Sequence, residues 1–540
     1  MSRTDDRVRV PATNSGQWGF HTPADRQQVT CVLSWHSVDT GFRPCPTLVH
    51  GSLSAPNGID SRRAASPVPR DGRQRLLRPL LIRQDSVPKP ASTHCPYLPP
   101  IRLRPSPIAR PSPEIDDVQV LVVGHGAREH ALAWSLSRSR DVSSVLIAPG
   151  NGGVRYLPSA HRVPIDTTDV TGLVACARQE VVDLVVVGPE SALAAGLVDA
   201  LAAEGFPVFG PSRQAARLET SKVFAKDFMQ RHGIPTAEYQ QHVDFELALS
   251  YCERLRYNVA LKADGLAAGK GVILPRTGAE TFSALEQLRG SGLWQVNQPL
   301  VIEERLEGWE TSVFALADGK DYRIFAHAQD YKRAYAGDEG PNTGGMGAVS
   351  PSPLTEAELA AVEEKVVAPT FAGLARDGMS YVGVLFFGLM MTSRGPMLLE
   401  YNARFGDPET QVMLPRLRGG IAEAVRACTE ERLSEVEFDW DPRPAVGVVM
   451  ASDGYPNQYG IGHRITGLDA EGSGDTVVFL AGAEETPDGN VVTDGGRVLT
   501  AVGLGADLAS ARVAAYGRVK TLDFEKAEYR SDIGLEAAPR

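Results

Sequence analysis

Residues 398–411 read LLEYNARFGDPETQ. In an extended chain alternate side chains share a face. Glu400, Asn402 and Arg404 therefore point one way, and Tyr401, Ala403 and Phe405 the other, just before Gly406-Asp407-Pro408 ends the strand. A carboxylate and an amide oxygen are hard donors. A Mg²⁺ that bridges nucleotide phosphates is commonly held by one or two such groups plus substrate oxygens. A guanidinium beside them can grip a transferring phosphoryl group or a substrate carboxylate with two prongs. Asp407 and Glu409 read as residues that fix the turn and orient Arg404. The plainer alternative is a structural ion pair at the end of a buried strand.

Three further stretches carry chemistry. LKADGLAAGKGV, residues 261–272, is glycine-rich, with Lys262 on a strand and Lys270 in the loop between Gly269 and Gly271. Such a loop lets backbone N–H groups approach phosphate oxygens while lysine supplies point charge. Its spacing is not that of a Walker A loop. VIEERLEGWETSV, residues 301–313, clusters acids at a strand end, and Glu303 and Glu310 are candidates to read a purine and its ribose. The alternative there is a solvated acidic edge. GPNTGGMG, residues 340–347, is too rich in glycine for a helix or core strand and reads as a shaped loop lying against a ligand. Just before it come Asp330, Lys332 and Arg333. GHGAREH, residues 124–130, superficially suggests dinucleotide binding. Position 129 is Glu where G-x-G-x-x-G needs glycine, and APGNGG replaces the acid expected some 20 residues on. A phosphate would still be favoured at the positive end of the helix that starts there. His125 and His130 are either ligand contacts or helix-end residues.

Strand–turn–helix units must position these groups. From Val118, VQVLVVGHGAREHALAWSL, VSSVLIAPGNGG and VVDLVVVGPESALAAGLVDAL read as strands leading to loops and helices, which predicts a parallel sheet with ligands at the strand carboxyl ends. FAKDFMQRHGIPTA is a helix ended by Gly233 and Pro235. Residues 257–330 alternate short strands and helices in an α+β manner. A long helix follows at about 355–378, then two paired buried strands, and a β-rich tail from about 440 with a last helix near 507–520. The expected divisions are 1–116, 117–218, 219–310, 311–437 and 438–540. They read as a leader, a Rossmann-like domain, two central regions and a small β-rich domain packed on the body.

Residues 1–116 hold 17 of the 38 prolines and 16 basic against 9 acidic residues. With no sustained period, this segment reads as a disordered leader or a start placed too far upstream. The sharper alternative is a targeting or nucleic-acid arm. The whole chain of 540 residues carries a net charge of -11, which gives no nucleic-acid footprint. Its six cysteines are scattered without a C-x-x-C pair, so neither a zinc cluster nor a disulfide framework is suggested. No apolar run approaches the ~20 residues that span a bilayer. The setting expected is cytoplasmic, with no membrane or nucleic-acid partner.

With LETSKVFAKDFM, KADGLAAGKGV, GPNTGGMGA, LEYNARFGDPETQ and TDGGRVL in this order, the chain from about Val118 to Gly534 resembles the phosphoribosylamine–glycine ligase family of ATP-grasp enzymes. The resemblance implies that ATP, glycine and 5-phosphoribosylamine give glycinamide ribonucleotide, ADP and phosphate through a glycyl phosphate. It implies a Rossmann-like first domain, ATP-grasp central regions (a lid over 219–310 and a catalytic region over 311–437), a possible monomer, and Mg²⁺ or Mn²⁺ as cofactor. Lys222 and Lys262 would contact phosphates, with Gly269, Lys270 and Gly271. Glu303 would meet the adenine and Glu310 the ribose, with Glu304 and Leu306 also among the nucleotide-binding residues. Glu400 and Asn402 would hold the metal, and Arg404 would stabilise the transferring group. Asp330, Lys332, Asn342, Gly344, Gly345 and Met346 would frame glycine and the acyl phosphate. Gly124, Asn151, Gly152 and Glu190 would hold phosphoribosylamine. Tyr331, Val349, His125, Leu535 and Glu536 depart from the family's usual residues. The rival readings are another ATP-grasp carboxylate–amine ligase or carboxylase, a NAD(P)-binding oxidoreductase built on the first domain, and a catalytically silent nucleotide-binding protein.

Overall fold

The apolar run VQVLVVG forms β1 (Val118–Gly124). It needs apolar side chains at successive positions because both its faces are covered. Val120 and Val122 enter one core with Phe209 and Val412, and Leu121 and Val123 enter another with Leu193 and Ala403. With β2 (Val142–Pro149), β3 (Ala160–Arg162), β4 (Leu184–Val187) and β5 (Val208–Phe209) it makes a parallel sheet in the order β3-β2-β1-β4-β5. The strand order switches direction between β1 and β4, the place where such sheets open a crevice at their carboxyl ends. Glu190 begins the helix Glu190–Ala195 that follows β4. This computed structural model describes residues 117–535 apart from 256–257, 267–270, 296 and 471–473. The expected leader, Gly269, Lys270 and Glu536 therefore lie outside the described residues.

The helix Lys222–Arg231 is capped by Ser221, whose hydroxyl accepts from the Phe224 N–H at 3.1 Å. It leads into β6 (Tyr239–His242), β7 (Val259–Ala263), β8 (Val272–Ile273) and β9 (Leu300–Glu304), an antiparallel sheet in the order β6-β9-β7-β8. Leu261 and Ile302 face helices Phe245–Arg254 and Gly278–Gly290 in one core. By the period of two, Lys262 and Glu303 face the other way.

The largest sheet is antiparallel. Its strands are β10 (Trp309–Asp318), β11 (Tyr322–Asp330), β14 (Gly347–Ser350), β15 (Val382–Thr392), β16 (Gly395–Asn402), β17 (Ala445–Ser452), β18 (Thr476–Leu480) and β21 (Arg497–Leu504), with the short β22 (Ala527–Glu528) paired beside β17. They run in the order β16-β15-β10-β11-β14-β17-β21-β18. Two hairpins stand off it: β12 (Arg333–Tyr335) with β13 (Glu339–Asn342), and β19 (Ala483–Glu485) with β20 (Val491–Thr493). The C-terminal strands do not form a separate sheet packed on the body. They continue the central one, because β17 pairs with β14 along Gly347–Ser350 and so satisfies an edge that would otherwise be bare. The long helix expected near 355–378 is present as Glu356–Val362 and Ala368–Arg376, joined by a π turn at Glu363–Val367. No helix among the described residues is long and apolar enough to cross a membrane.

Candidate active site

The face shared by Glu400 and Asn402 opens on a cleft between the four-stranded sheet and the large one. An inner cavity of about 440 Å³ and an adjoining one of about 1110 Å³ share Lys262, Asp330, Lys332, Thr343, Leu399 and Glu400 in their walls. The strand β16 is not regular here. Gly388 pairs with Glu400 but Leu389 with Leu398, so Leu399 is an extra, bulged residue. The bulge re-aims the strand. Leu398 and Tyr401 enter the core beneath, while Leu399 and Glu400 both line the cleft. The bulged carbonyl of Leu399 accepts from Lys262 Nζ at 3.0 Å. Asn402 and Arg404 join Glu400 in the inner wall, so the three residues with shared chemistry do converge. Glu400 and Asn402 offer two hard oxygens there, a donor set that fits a hard divalent cation shared with phosphate oxygens.

Opposite them, Lys222 Nζ donates to the Gly265 carbonyl at 2.9 Å. Burial lowers the pKa of its amine, although Glu400 pulls the other way. Glu303 is 2% exposed and lies between two ammonium groups, Lys262 and Lys226, each 2.5 Å from one of its oxygens. Burial alone would raise its carboxyl, but Lys262 and Lys226 hold it below the ordinary carboxylate value. Glu304 and Leu306 follow along the wall of the larger cavity, and Gly271 lines the smaller.

Glu310 pairs with Lys332 at 2.6 Å, and that lysine lowers its pKa. Lys332 is half-buried, and desolvation works against its charge, yet Asp330, Glu310 and Glu400 together keep its pKa well above the usual value. Burial raises Asp330 against the pull of Lys332. Glu409 is buried at the inner end of the cleft, where burial and then Asp330 raise it to about 7. One of its oxygens accepts from Ser312 Oγ at 3.3 Å.

Asp407 and Glu409 do not orient Arg404 as expected. Asp407 is taken by Arg497, whose Nη2 reaches its carboxylate at 2.9 Å, and Glu409 turns toward Ser312. Arg404 is instead held by Glu219 at 3.0 Å, Glu190 at 3.4 Å and Asn402 Oδ1 at 3.0 Å. Burial opposes its charge, but Glu219 and Glu190 raise its pKa further. Burial works to raise Glu190, and Arg404 with Arg128 brings it below its ordinary value. The glycine-rich loop is clasped by the same Arg497, which donates to the carbonyls of Gly344 at 2.6 Å and Asp407 at 2.9 Å. Asn342 and Gly344 line the cavities. Gly345 lies behind them at φ +107, where a Cβ would stand 2.5 Å from Pro408, and Met346 is buried.

The sequence reading singled out neither Lys226, Glu219 nor Arg497. Lys226 carried a signal, since it follows Lys222 by four positions on one helix face. Arg497 lies in the TDGGRVL motif but carried no assigned role, because it arrives from a strand some 90 residues further on.

The first domain contributes Glu190 to the cleft. Gly124, Asn151 and Gly152 lie outside the walls of the two cavities. Asn151 is buried and its Nδ2 donates to the carbonyls of His125 and Leu480, each at 2.7 Å, while its Oδ1 accepts from the Gly153 N–H at 2.8 Å. The Gly152 N–H donates to Ala483 at 2.8 Å. These residues seam the first domain to the C-terminal strands. The helix end expected to favour a phosphate is occupied by the chain itself. The Glu129 carboxylate accepts from the Gly126 N–H at 2.7 Å, and a Cβ at Gly124 would stand 2.2 Å from its Cγ. That side chain fills the turn where a dinucleotide's pyrophosphate would lie. Of the two histidines, His130 is buried, its Nδ1 accepts from the Leu480 N–H at 2.9 Å, and burial lowers it to about 4. Tyr331 OH accepts from the Gly534 N–H at 3.1 Å, and Val349 sits in the adjoining core.

The two sheets around a lysine-lined cleft have known counterparts. The biotin carboxylase domain of a 2-oxoglutarate carboxylase from Hydrogenobacter thermophilus shares the fold, with a TM-score of 0.57 at 15% identity over 76% of this chain and 91% of that one. The ATP-grasp class is defined by the sequence pattern of an ATP-grasp domain, which matches residues 220–410. A phosphoribosylamine–glycine ligase from Thermotoga maritima superposes with a TM-score of 0.67 at 35% identity, covering 77% of this chain and all of that one. The patterns of the phosphoribosylglycinamide synthetase N domain, ATP-grasp (A) domain and C domain match residues 118–219, 220–410 and 445–536. Phosphoribosylamine–glycine ligases of Allochromatium vinosum and Caulobacter vibrioides are each 47% identical over 78% of this chain and 99% of their own length. The chain belongs to the phosphoribosylglycinamide synthetase family.

Proposed function

We propose that this chain joins glycine to 5-phosphoribosylamine at the expense of ATP, giving glycinamide ribonucleotide, ADP and phosphate through a glycyl phosphate. The observation that carries the reading is the family match over three consecutive regions in a chain that keeps Glu400, Asn402 and Arg404 on one wall. The chemical problem is the approach of two anions, a carboxylate and a triphosphate. It calls for positioning and charge neutralisation rather than a protein nucleophile.

The larger cavity takes adenine and ribose, with Glu303, Glu304 and Leu306 at the base and Glu310 at the ribose. Lys222 and Lys262 meet the phosphates, with the loop of Gly269, Lys270 and Gly271. Glu400 and Asn402 would hold the divalent cation, Mg²⁺ or Mn²⁺, which when bound would neutralise phosphate charge. Arg404, fixed by Glu219 and Glu190, faces the transferring phosphoryl group. Asp330, Lys332 and the loop of Asn342, Gly344, Gly345 and Met346 frame glycine. Glu190, with Gly124, Asn151 and Gly152 on the first domain's side, borders the amine substrate. The glycine carboxylate attacks the γ-phosphorus and ADP leaves. The amine of phosphoribosylamine then attacks the acyl carbon and phosphate leaves. The reading divides the cleft between a lid over 219–310 and a catalytic region over 311–437, flanked by 117–218 and 438–540. It sets a monomeric enzyme in the cytoplasm, acting on small molecules.

Phosphate release measured with each substrate omitted in turn tests it. Release should require ATP, a divalent cation and glycine, and product should require phosphoribosylamine. Release driven by bicarbonate or another amino acid would point to a different ligase or a carboxylase.

A further inference from the structure

Lys226 has no place in the scheme above, yet its burial and partners are unusual. Its side chain is 2% exposed, and a buried ammonium is costly unless it is paired. It stands 2.5 Å from Glu303 and donates to Thr236 Oγ1 at 2.6 Å. Thr236 in turn donates to the Leu398 carbonyl at 2.6 Å, on the strand that carries Glu400. Glu303 lines the larger cavity with Ala260, Leu306, Met390 and Leu399, an apolar slot in a wall that elsewhere carries Glu304, Glu307 and Glu310. Lys226 lines the smaller cavity on the other side of that carboxylate.

We propose that Lys226 is a specificity-determining residue of the nucleotide cleft. By clamping Glu303 together with Lys262, it keeps the carboxylate a pure hydrogen-bond acceptor, so the slot takes a 6-amino purine and rejects a 6-oxo purine. The inference rests on the reading that Glu303 faces the base. An ionised carboxylate only accepts, at about four lone-pair positions, so two lysines leave it capacity for an amine. A 6-oxo group in the same place sets acceptor against acceptor and leaves buried polar groups unpaired, the arrangement that discriminates most strongly. Without Lys226, the buried carboxyl shares one lysine and takes up a proton more readily. A protonated carboxyl can donate to a 6-oxo purine. The charged groups facing Glu303 are Lys226 from its helix and Lys262 from β7, with Glu400 beyond them on β16. Tyr239 is the cross-strand neighbour of Glu303 on β6. Burial lowers the Lys226 amine to about 8, so at neutral pH it remains the charged partner.

The test is equilibrium binding of ATP and of ITP, each with Mg²⁺, to the full chain and to K226Q, K226M, K226R and E303Q. Glutamine retains hydrogen-bonding capacity toward Thr236 and removes the charge, so it stands in should methionine unfold the protein. The preference for ATP over ITP should fall at least ~10-fold in K226Q at pH 7 and recover toward pH 9 as Glu303 ionises, while K226R keeps it. An unchanged preference in K226Q, or an equal loss of both nucleotides at every pH, would overturn the proposal. E303Q separates the two layers. If its preference is unchanged, Glu303 is not the base reader and that reading fails. If E303Q loses the preference and K226Q does not, only the role of Lys226 fails.

Discussion

Arg404 has two tasks that compete for its guanidinium. Glu219 and Glu190 hold it in place, and an incoming phosphoryl group must share it. The carboxylates set direction, while Nη1, which donates to the Phe405 carbonyl at 3.2 Å, has a second N–H to offer. Arg404→Ala should leave MgATP affinity largely intact and lower turnover at least ~10²-fold, the scale of losing a group that stabilises developing charge. Separate measurement of nucleotide binding and single-turnover phosphate transfer checks this, and near-normal turnover would remove the role. Glu409 makes a different prediction. Its carboxyl has a folded-state pKa of about 7, above the ordinary carboxylate value. Between roughly pH 4.5 and 7 the folded chain therefore holds more proton than the unfolded chain, and stability falls as pH rises through that window. Glu409→Gln should flatten that fall and stabilise the fold by about 1–3 kcal/mol at pH 8. Denaturant melts at pH 5 and pH 8 show it. A variant that loses as much stability across this window as the parent would exclude Glu409 as the source.

At the scale of elements, period and bulge decide what faces the cleft. The alternation of Glu400, Asn402 and Arg404 was legible in the sequence, because a period of two survives wherever one face is buried. So were the parallel sheet and the helix at Lys222, since each is written in adjacent residues, whereas of the loop expected at 340–347 only 343–346 lies outside strands, β13 running to Asn342 and β14 starting at Gly347. The bulge at Leu399 was not, because it exists only in the register against β15. Nor was the partner of Arg404 legible. Glu219 lies 185 positions before it, and charge pairing across that separation leaves no local pattern. Asn151 adds a further long-range contact. The family resemblance implies a substrate role for it, and its amide also donates to backbone carbonyls across an element boundary, which no local pattern announces. Asn151→Ala should cost about 1–3 kcal/mol of stability by leaving buried groups unpaired. Thermal melting measures this directly. A higher KM for phosphoribosylamine with unchanged melting would place the side chain at the substrate instead.

For the molecule as a whole, the central sheet is the frame. It carries β16, with Glu400 and Asn402 of the cleft, at one end and β18 at the other. A chain ended at residue 437 would expose β14 along Gly347–Ser350 and strip the core around Val446, Val448 and Val502. We expect that fragment to be insoluble or to melt without cooperativity, whereas a separately folding tail would leave a cooperative body behind. Removal of residues 1–115 should leave activity unchanged, because the family patterns begin at residue 118. Equal kcat and KM in the shortened chain are the outcome to look for.

The bonds from Asn151 and His130 to Leu480 join positions 329 and 350 residues apart. A ribosome adds about 5–20 residues per second, so the nascent amino-terminal region waits roughly 15–70 s for the segment that seals its flank. Over that interval Trp134 and His130 lack Phe479, the ring against which both later stand edge-on. The order of synthesis thus leaves an early-made surface sticky until almost the last residues emerge, and chaperone demand should be concentrated there.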